Sequence, residues 1–131
     1  MAKKSELKTV LIIEDETDIR NFASRALELE GYHTLQAGNG DEGLKLMRCN
    51  QISLLLLDLK LPTIDGWTVL EQMKASPALS NIPVVVFTAS AAVPQRDKAL
   101  SMGAADYLVK PISASGLKEA IARTLSLNRR C

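Results

Sequence analysis

Residues 54–57 are four consecutive leucines that stop abruptly at Asp58, and this run constrains the fold more than any other segment. Leucine by propensity favours helix. Four apolar residues between polar flanks are nevertheless too few for a helix and suit a strand covered on both faces, as in a parallel sheet. Runs of the same kind occupy 9–13 and 84–87, and weaker strand patterns occupy 32–37 and 106–109. The intervening stretches repeat their apolar residues at helical spacing. Ile19, Phe22, Ala23, Ala26, Leu27 and Leu29 mark a first helix, with Gly31 as its stop. Residues 41–48 read as a short second helix. Val69, Leu70 and Met73 mark a third, with Asp65 as N-cap and Pro77 at its end. Pro94 suits the first turn of a fourth helix ending near Gly103. Ser113 can cap a last helix carrying Leu117, Ile121 and Leu125, although Gly116 weakens its first turns by up to about 1 kcal/mol relative to Ala.

Strict alternation of strands and helices predicts an α/β domain, an open parallel sheet with helices on both faces and right-handed crossovers. The partly polar strand at 32–37 belongs near an edge, and the leucine run belongs at the centre. A chain of 131 residues fits one domain, expected over 7–127 with flexible termini at 1–6 and 128–131. Its 47% hydrophobic content supports a core without metal or disulfide staples. Cys49 and Cys131 lack metal-type spacing and read as free thiols. With 16 Lys plus Arg against 15 Asp plus Glu, the chain lacks the basic footprint of a nucleic-acid binder. The polar, basic start lacks the apolar stretch of a secretory signal, and no segment is long enough to span a bilayer. A cytoplasmic location is expected, with neither nucleic acid nor membrane as partner.

In open parallel sheets the functional crevice lies beyond the carboxyl ends of the strands. Glu14, Asp15 and Glu16 follow the first strand, Asp58 the third, Thr88 closes the fourth, and Lys110 with Pro111 follows the fifth. Each has an ordinary reading when taken alone: acids favour helix starts and turns, and lysines favour solvent. Together they predict one polar crevice. Carboxylates so close raise one another's pKa unless a hard cation neutralises them, and Mg2+ suits one or two carboxylates plus phosphate oxygens. A hydroxyl and an ammonium facing them can bind a transferring phosphoryl group. The isomer of the Lys110–Pro111 bond is left open.

The segments Val10-Leu-Ile-Ile-Glu-Asp-Glu16, Leu55-Leu-Leu-Asp58, Leu61-Pro62 with Asp65-Gly66, Phe87-Thr-Ala89 and 103–111 (Gly-Ala-Ala-Asp-Tyr-Leu-Val-Lys-Pro) resemble the receiver domains of two-component response regulators. Their order and spacing match over residues 7–127, in a single-domain form similar to chemotaxis regulators. The resemblance implies a doubly wound, flavodoxin-like (βα)5 sheet of strand order 2-1-3-4-5. It implies that Asp58 accepts a phosphoryl group from a histidine kinase or histidine phosphotransfer protein. Glu14, Asp15, Asp58 and the backbone carbonyl of Lys60 would hold Mg2+, for which Mn2+ could substitute. Thr88 and Lys110 would contact the phosphoryl oxygens. The chemistry is coherent, because displacement at phosphorus needs a carboxylate nucleophile, a bridging metal and groups that meet developing charge.

The family most often carries Asp where this chain has Glu14, whose extra methylene weakens the metal contact or makes it water-mediated. Lys60 and Ser90 occupy positions similar to those that tune phosphate lifetime. The resemblance further implies a switch in which Thr88 moves toward the phosphoryl group and Tyr107 swings inward behind it. That motion alters a protein-binding surface of helix four, strand five and helix five, read by a downstream target protein. Trp67 is expected to pack beside the loop, and His33 to be incidental. The chain is not expected to be an enzyme beyond its own phosphorylation and dephosphorylation. An aspartyl-phosphatase reading needs a second Asp two residues after Asp58, where Lys60 stands, and a nucleotide or flavin binder would be repelled by the acids at 14–16. The remaining alternative is a receiver-like interaction module that works without phosphorylation.

Overall fold

The computed structural model describes residues 7–128. Five strands and five helices alternate as β1 (Thr9–Ile13), α1 (Thr17–Glu28), β2 (His33–Ala37), α2 (Gly40–Cys49), β3 (Leu54–Leu57), α3 (Gly66–Ala75), β4 (Val84–Thr88), α4 (Val93–Ser101), β5 (Asp106–Val109) and α5 (Ala114–Asn128). The strands form one parallel sheet in the order β2-β1-β3-β4-β5. The expected flavodoxin-like architecture is thus present, with the leucine run at its centre and β2 at an edge. Helix α5 includes Asn128, the first residue of the expected C-terminal tail. The expected termini at 1–6 and 129–131, Cys131 among them, lie outside the described residues. Cys49 is a free, exposed thiol.

Alternation along β3 explains why its pattern is continuously apolar. Leu55 and Leu57 face a core with Leu44 and Met47 of α2, Val69, Leu70 and Met73 of α3 and Ala99 of α4. Leu54 and Leu56 face the opposite core, with Ala23, Ala26 and Leu27 of α1 and Leu117, Ala120 and Ile121 of α5. All four leucines are buried, and each such side chain contributes roughly 1.5–3 kcal/mol. The expected apolar face of α1 needs correction. Ala23, Ala26 and Leu27 are buried, but Phe22 is 41% and Leu29 70% exposed. Residues 22 and 29 stand seven apart and share a face turned from the sheet, and Leu29 is already the C-cap.

Local signals set the remaining boundaries. Asp65 caps α3, its Oδ1 accepting from the Thr68 amide at 2.9 Å. Ser113 Oγ accepts from the Gly116 amide at 3.0 Å at the start of α5. Gly31 follows α1 with φ of 94°, a left-handed conformation that glycine adopts without cost. Helix α4 is shorter than expected and closes at Ser101, with Gly103 at φ 103° beyond it. The Lys110–Pro111 bond is cis.

Candidate functional site

The register of the sheet brings four carboxyl ends level. Ile13 pairs with Leu57, Leu57 with Val86, and Thr88 with Val109. The ladder continues past the strands, because the Asp58 amide donates to the Ile13 carbonyl at 3.0 Å and the Lys110 amide to the Thr88 carbonyl at 2.8 Å. Parallel pairing therefore delivers Glu14, Asp58, Thr88 and Lys110 side by side. Glu14, Asp58 and Thr88 are buried, whereas Asp15 is exposed at the mouth. A cavity of about 1200 Å3 opens above them, lined among others by Asp15, Asp58, Lys60, Trp67, Thr88 and Lys110.

At its floor the Lys110 ammonium donates to Asp58 Oδ2 at 2.9 Å and to Glu14 Oε1. The amides of Lys60 and Glu16 donate to Asp58 Oδ1 at 3.1 Å and to Glu14 Oε2 at 3.0 Å. Every carboxylate oxygen of the two buried acids thus has a donor, which is what tolerates their burial. Burial pushes the Glu14 carboxyl above its ordinary 4.5, with the bonds from Lys110 and the Glu16 amide working against that rise. Burial also opposes the charge on Lys110, but hydrogen bonds to Glu14 and Asp58 outweigh it and hold the ammonium above its ordinary 10.5. Lys110 therefore carries a full positive charge at neutral pH.

Glu14, Asp15 and Asp58 each bring one oxygen to within 4.8 Å of the others. A donor set made only of carboxylate oxygens fits a hard divalent cation such as Mg2+. Glu14 and Asp58 both have their oxygens engaged inside the protein, whereas Asp15, exposed at the mouth, offers the most accessible ligand oxygen. Gly66 fixes the floor from below. Its amide donates to the Leu59 carbonyl at 2.8 Å, and a Cβ there would stand 2.4 Å from the Asp58 carbonyl oxygen. Only glycine lets α3 start so close to the chain that carries Asp58.

A profile of the response regulator receiver domain matches residues 10–122. The chain belongs to the response regulator receiver family. The receiver is 36% identical over 123 residues to a probable transcriptional regulator ycf27 of Cyanophora paradoxa, covering 94% of this chain and 49% of the relative. It is equally similar, at 36% over 121 residues, to the DNA-binding dual master transcriptional regulator RpaA of Synechocystis, covering 92% and 49%. The chain spans about half the length of these curated relatives. Among solved structures, a CheY-like receiver domain of Methanospirillum hungatei superposes with a TM-score of 0.87 at 31% identity, covering 95% of this chain and 98% of that one. A putative response regulator of Chloroflexus aurantiacus gives 0.88 at 27%, covering 92% and 99%.

Tyr107 is buried, its hydroxyl donating to the Ser90 carbonyl at 2.7 Å. Trp67 packs against the core, as expected of it, and also lies under the Lys98 ammonium, 4.4 Å from the ring centroid. His33 is exposed on β2 and takes no part in lining the cavity. Among the described residues, no helix is long and apolar enough to cross a membrane.

Two residues of the receiver's site escaped the reading of the sequence. Arg20 donates through Nη1 to the Glu14 carbonyl at 2.8 Å and through Nε to Gln36 Oε1 at 3.0 Å, tying the acidic loop to α1 and β2. Its place one helical turn after Glu16 was a usable signal. Gln95, which donates to the Tyr107 hydroxyl at 3.1 Å, offered none, because that contact depends on how α4 lies against β5.

Proposed function

We propose that Asp58 is the phosphoacceptor of a two-component or phosphorelay circuit, charged from a histidine kinase or a histidine phosphotransfer protein. The observation that carries this reading is the Lys110 ammonium held between Asp58 and Glu14 beneath a cavity that Thr88 and Asp15 also line. An Asp58 carboxylate oxygen forms a new bond to phosphorus while the donor's bond to phosphorus breaks, and the leaving group takes its electron pair and a proton. Lys110 meets the charge that develops on the phosphoryl oxygens, and the Thr88 hydroxyl donates to one of them.

Asp15, Asp58 and the Lys60 carbonyl would hold Mg2+, or Mn2+ in its place, with Glu14 beside them anchoring Lys110. When bound, the cation neutralises the carboxylates and the incoming phosphoryl oxygens. The chain catalyses only its own phosphorylation and dephosphorylation. Thr88 and Tyr107 couple the acyl phosphate to the face formed by α4, β5 and α5, which a downstream protein in the cytoplasm reads.

Intact-protein mass after treatment with acetyl phosphate tests this, with and without Mg2+ and beside Asp58→Asn. A Mg2+-dependent gain of one phosphoryl mass, absent in the variant, is the expected result. No adduct under conditions that label a known receiver, with rapid hydrolysis excluded, would replace it with a receiver-like interaction module that works without phosphorylation.

A further inference from the structure

Helix α4 borders the cavity but is weakly held by burial. Within Val93–Ser101 only Ala99 is buried, and its N-cap Ala92 makes no side-chain hydrogen bond to the helix. Side chains tether it instead. The Tyr107 hydroxyl donates to the Ser90 carbonyl at 2.7 Å and accepts from Gln95 Nε2 at 3.1 Å. Ser90 Oγ in turn accepts from the Ala92 amide at 3.2 Å. One phenol therefore grips both ends of the β4–α4 connection, Ser90 where the chain leaves β4 and Gln95 in the first turn of α4. Ser90 and Gln95 line the same cavity as Asp58.

A buried phenol needs partners for both its proton and its lone pair. Ser90 takes the proton, and Gln95 supplies the donor that the lone pair needs. Without Gln95 the inward ring keeps one bond, while an outward ring satisfies its hydroxyl with water, so the balance moves outward. The other side-chain tether, Lys98 over Trp67, joins α4 to α3 and leaves Tyr107 untouched.

We propose that Gln95 is a positioning residue, a latch that sets how much of the receiver population holds Tyr107 inward with the first turn of α4 drawn toward the cavity. The latch acts on the Tyr107 switch of the proposed function and rests on that reading. Since its strength is that of one net hydrogen bond, it biases the inward-to-outward ratio by about two- to tenfold. Residue 95 would then tune how readily the output face switches, without touching the phosphoryl group.

The test uses the full chain with ring-13C tyrosine and NMR. The sequence has two tyrosines, so Tyr32 on the opposite side of the sheet serves as an internal reference for intact folding. Gln95→Met preserves length and removes the donor. Tyr107 ring signals are expected to shift toward solvent-exposed values, with the inward-to-outward ratio falling about two- to tenfold, while Tyr32 stays in place. Lys98→Gln is expected to leave both tyrosines unchanged. An unmoved Tyr107 in Gln95→Met overturns the latch, and so does an equal shift in Lys98→Gln, which would show general loosening of α4. The readout needs no phosphorylation, so a failed latch and a failed phosphoacceptor, the latter read by mass, give separate signatures.

Discussion

The Lys110 ammonium stands 2.9 Å from Asp58 Oδ2, with Glu14 on its other side, so one cation is shared between two buried acids drawn from different strand ends. Removing it leaves both carboxylates buried without their counter-charge. Lys110→Met is expected to destabilise the fold at neutral pH by roughly 3–5 kcal/mol in the presence of a chelator, measured by urea denaturation.

The same pair predicts a pH dependence. The folded pKa of Lys110 lies above 10.5, so its contribution to stability is complete below pH 10.5 and is lost as pH rises through the folded value. The gap in melting temperature between wild type and Lys110→Met should narrow as pH rises above 10.5. A gap that stays undiminished as pH rises through the folded value would contradict the ion pair as its source.

Divalent cations should stabilise the protein through the Glu14, Asp15 and Asp58 cluster. At free Mg2+ a hundredfold above its Kd, mass action adds about 2.7 kcal/mol, reversible by EDTA. Asp15→Asn should lose most of that gain while melting normally without metal, since Asp15 is exposed. Calorimetric scans with and without Mg2+ measure both.

Gly66→Ala places a methyl group 2.4 Å from the Asp58 carbonyl oxygen and 2.5 Å from Leu59 Cα. Backbone must shift to admit it, at about 1–3 kcal/mol. Because the displaced backbone carries Asp58, the rate of labelling by acetyl phosphate should fall several-fold even where the variant is fully folded. Unchanged labelling would show that the floor is more pliable than the close approach implies.

Asp65 accepts from the Thr68 amide at 2.9 Å and from the Thr68 hydroxyl at 3.1 Å. Asp65→Ala should cost about 1 kcal/mol as a lost N-cap. By contrast, the Arg123–Asp106 ion pair, whose arginine is 60% exposed, should contribute little. Arg123→Gln is expected to change the urea midpoint hardly at all.

The sheet was legible because its signals are local. Four leucines between polar residues, a cap at Asp65 and a stop at Gly31 each follow from propensity and conformational freedom within a few residues. The acids, hydroxyl and lysine were legible as a group because parallel strands bring their carboxyl ends to one edge, so position along the chain translated into position in space. The burial of Phe22 and Leu29 was misjudged because helical periodicity defines faces without saying which one meets the sheet. Contacts between distant residues lay beyond any such pattern. Glu14 meets Lys110 across 96 positions. Arg20 grips the Glu14 carbonyl, and Gln95 reaches Tyr107, only once strand register and helix placement are set. Composition and spacing decide which segments form and which ends collect charge; which donor finds which acceptor there is a property of packing, because hydrogen bonds are satisfied over about 3 Å and no one-dimensional period carries that information.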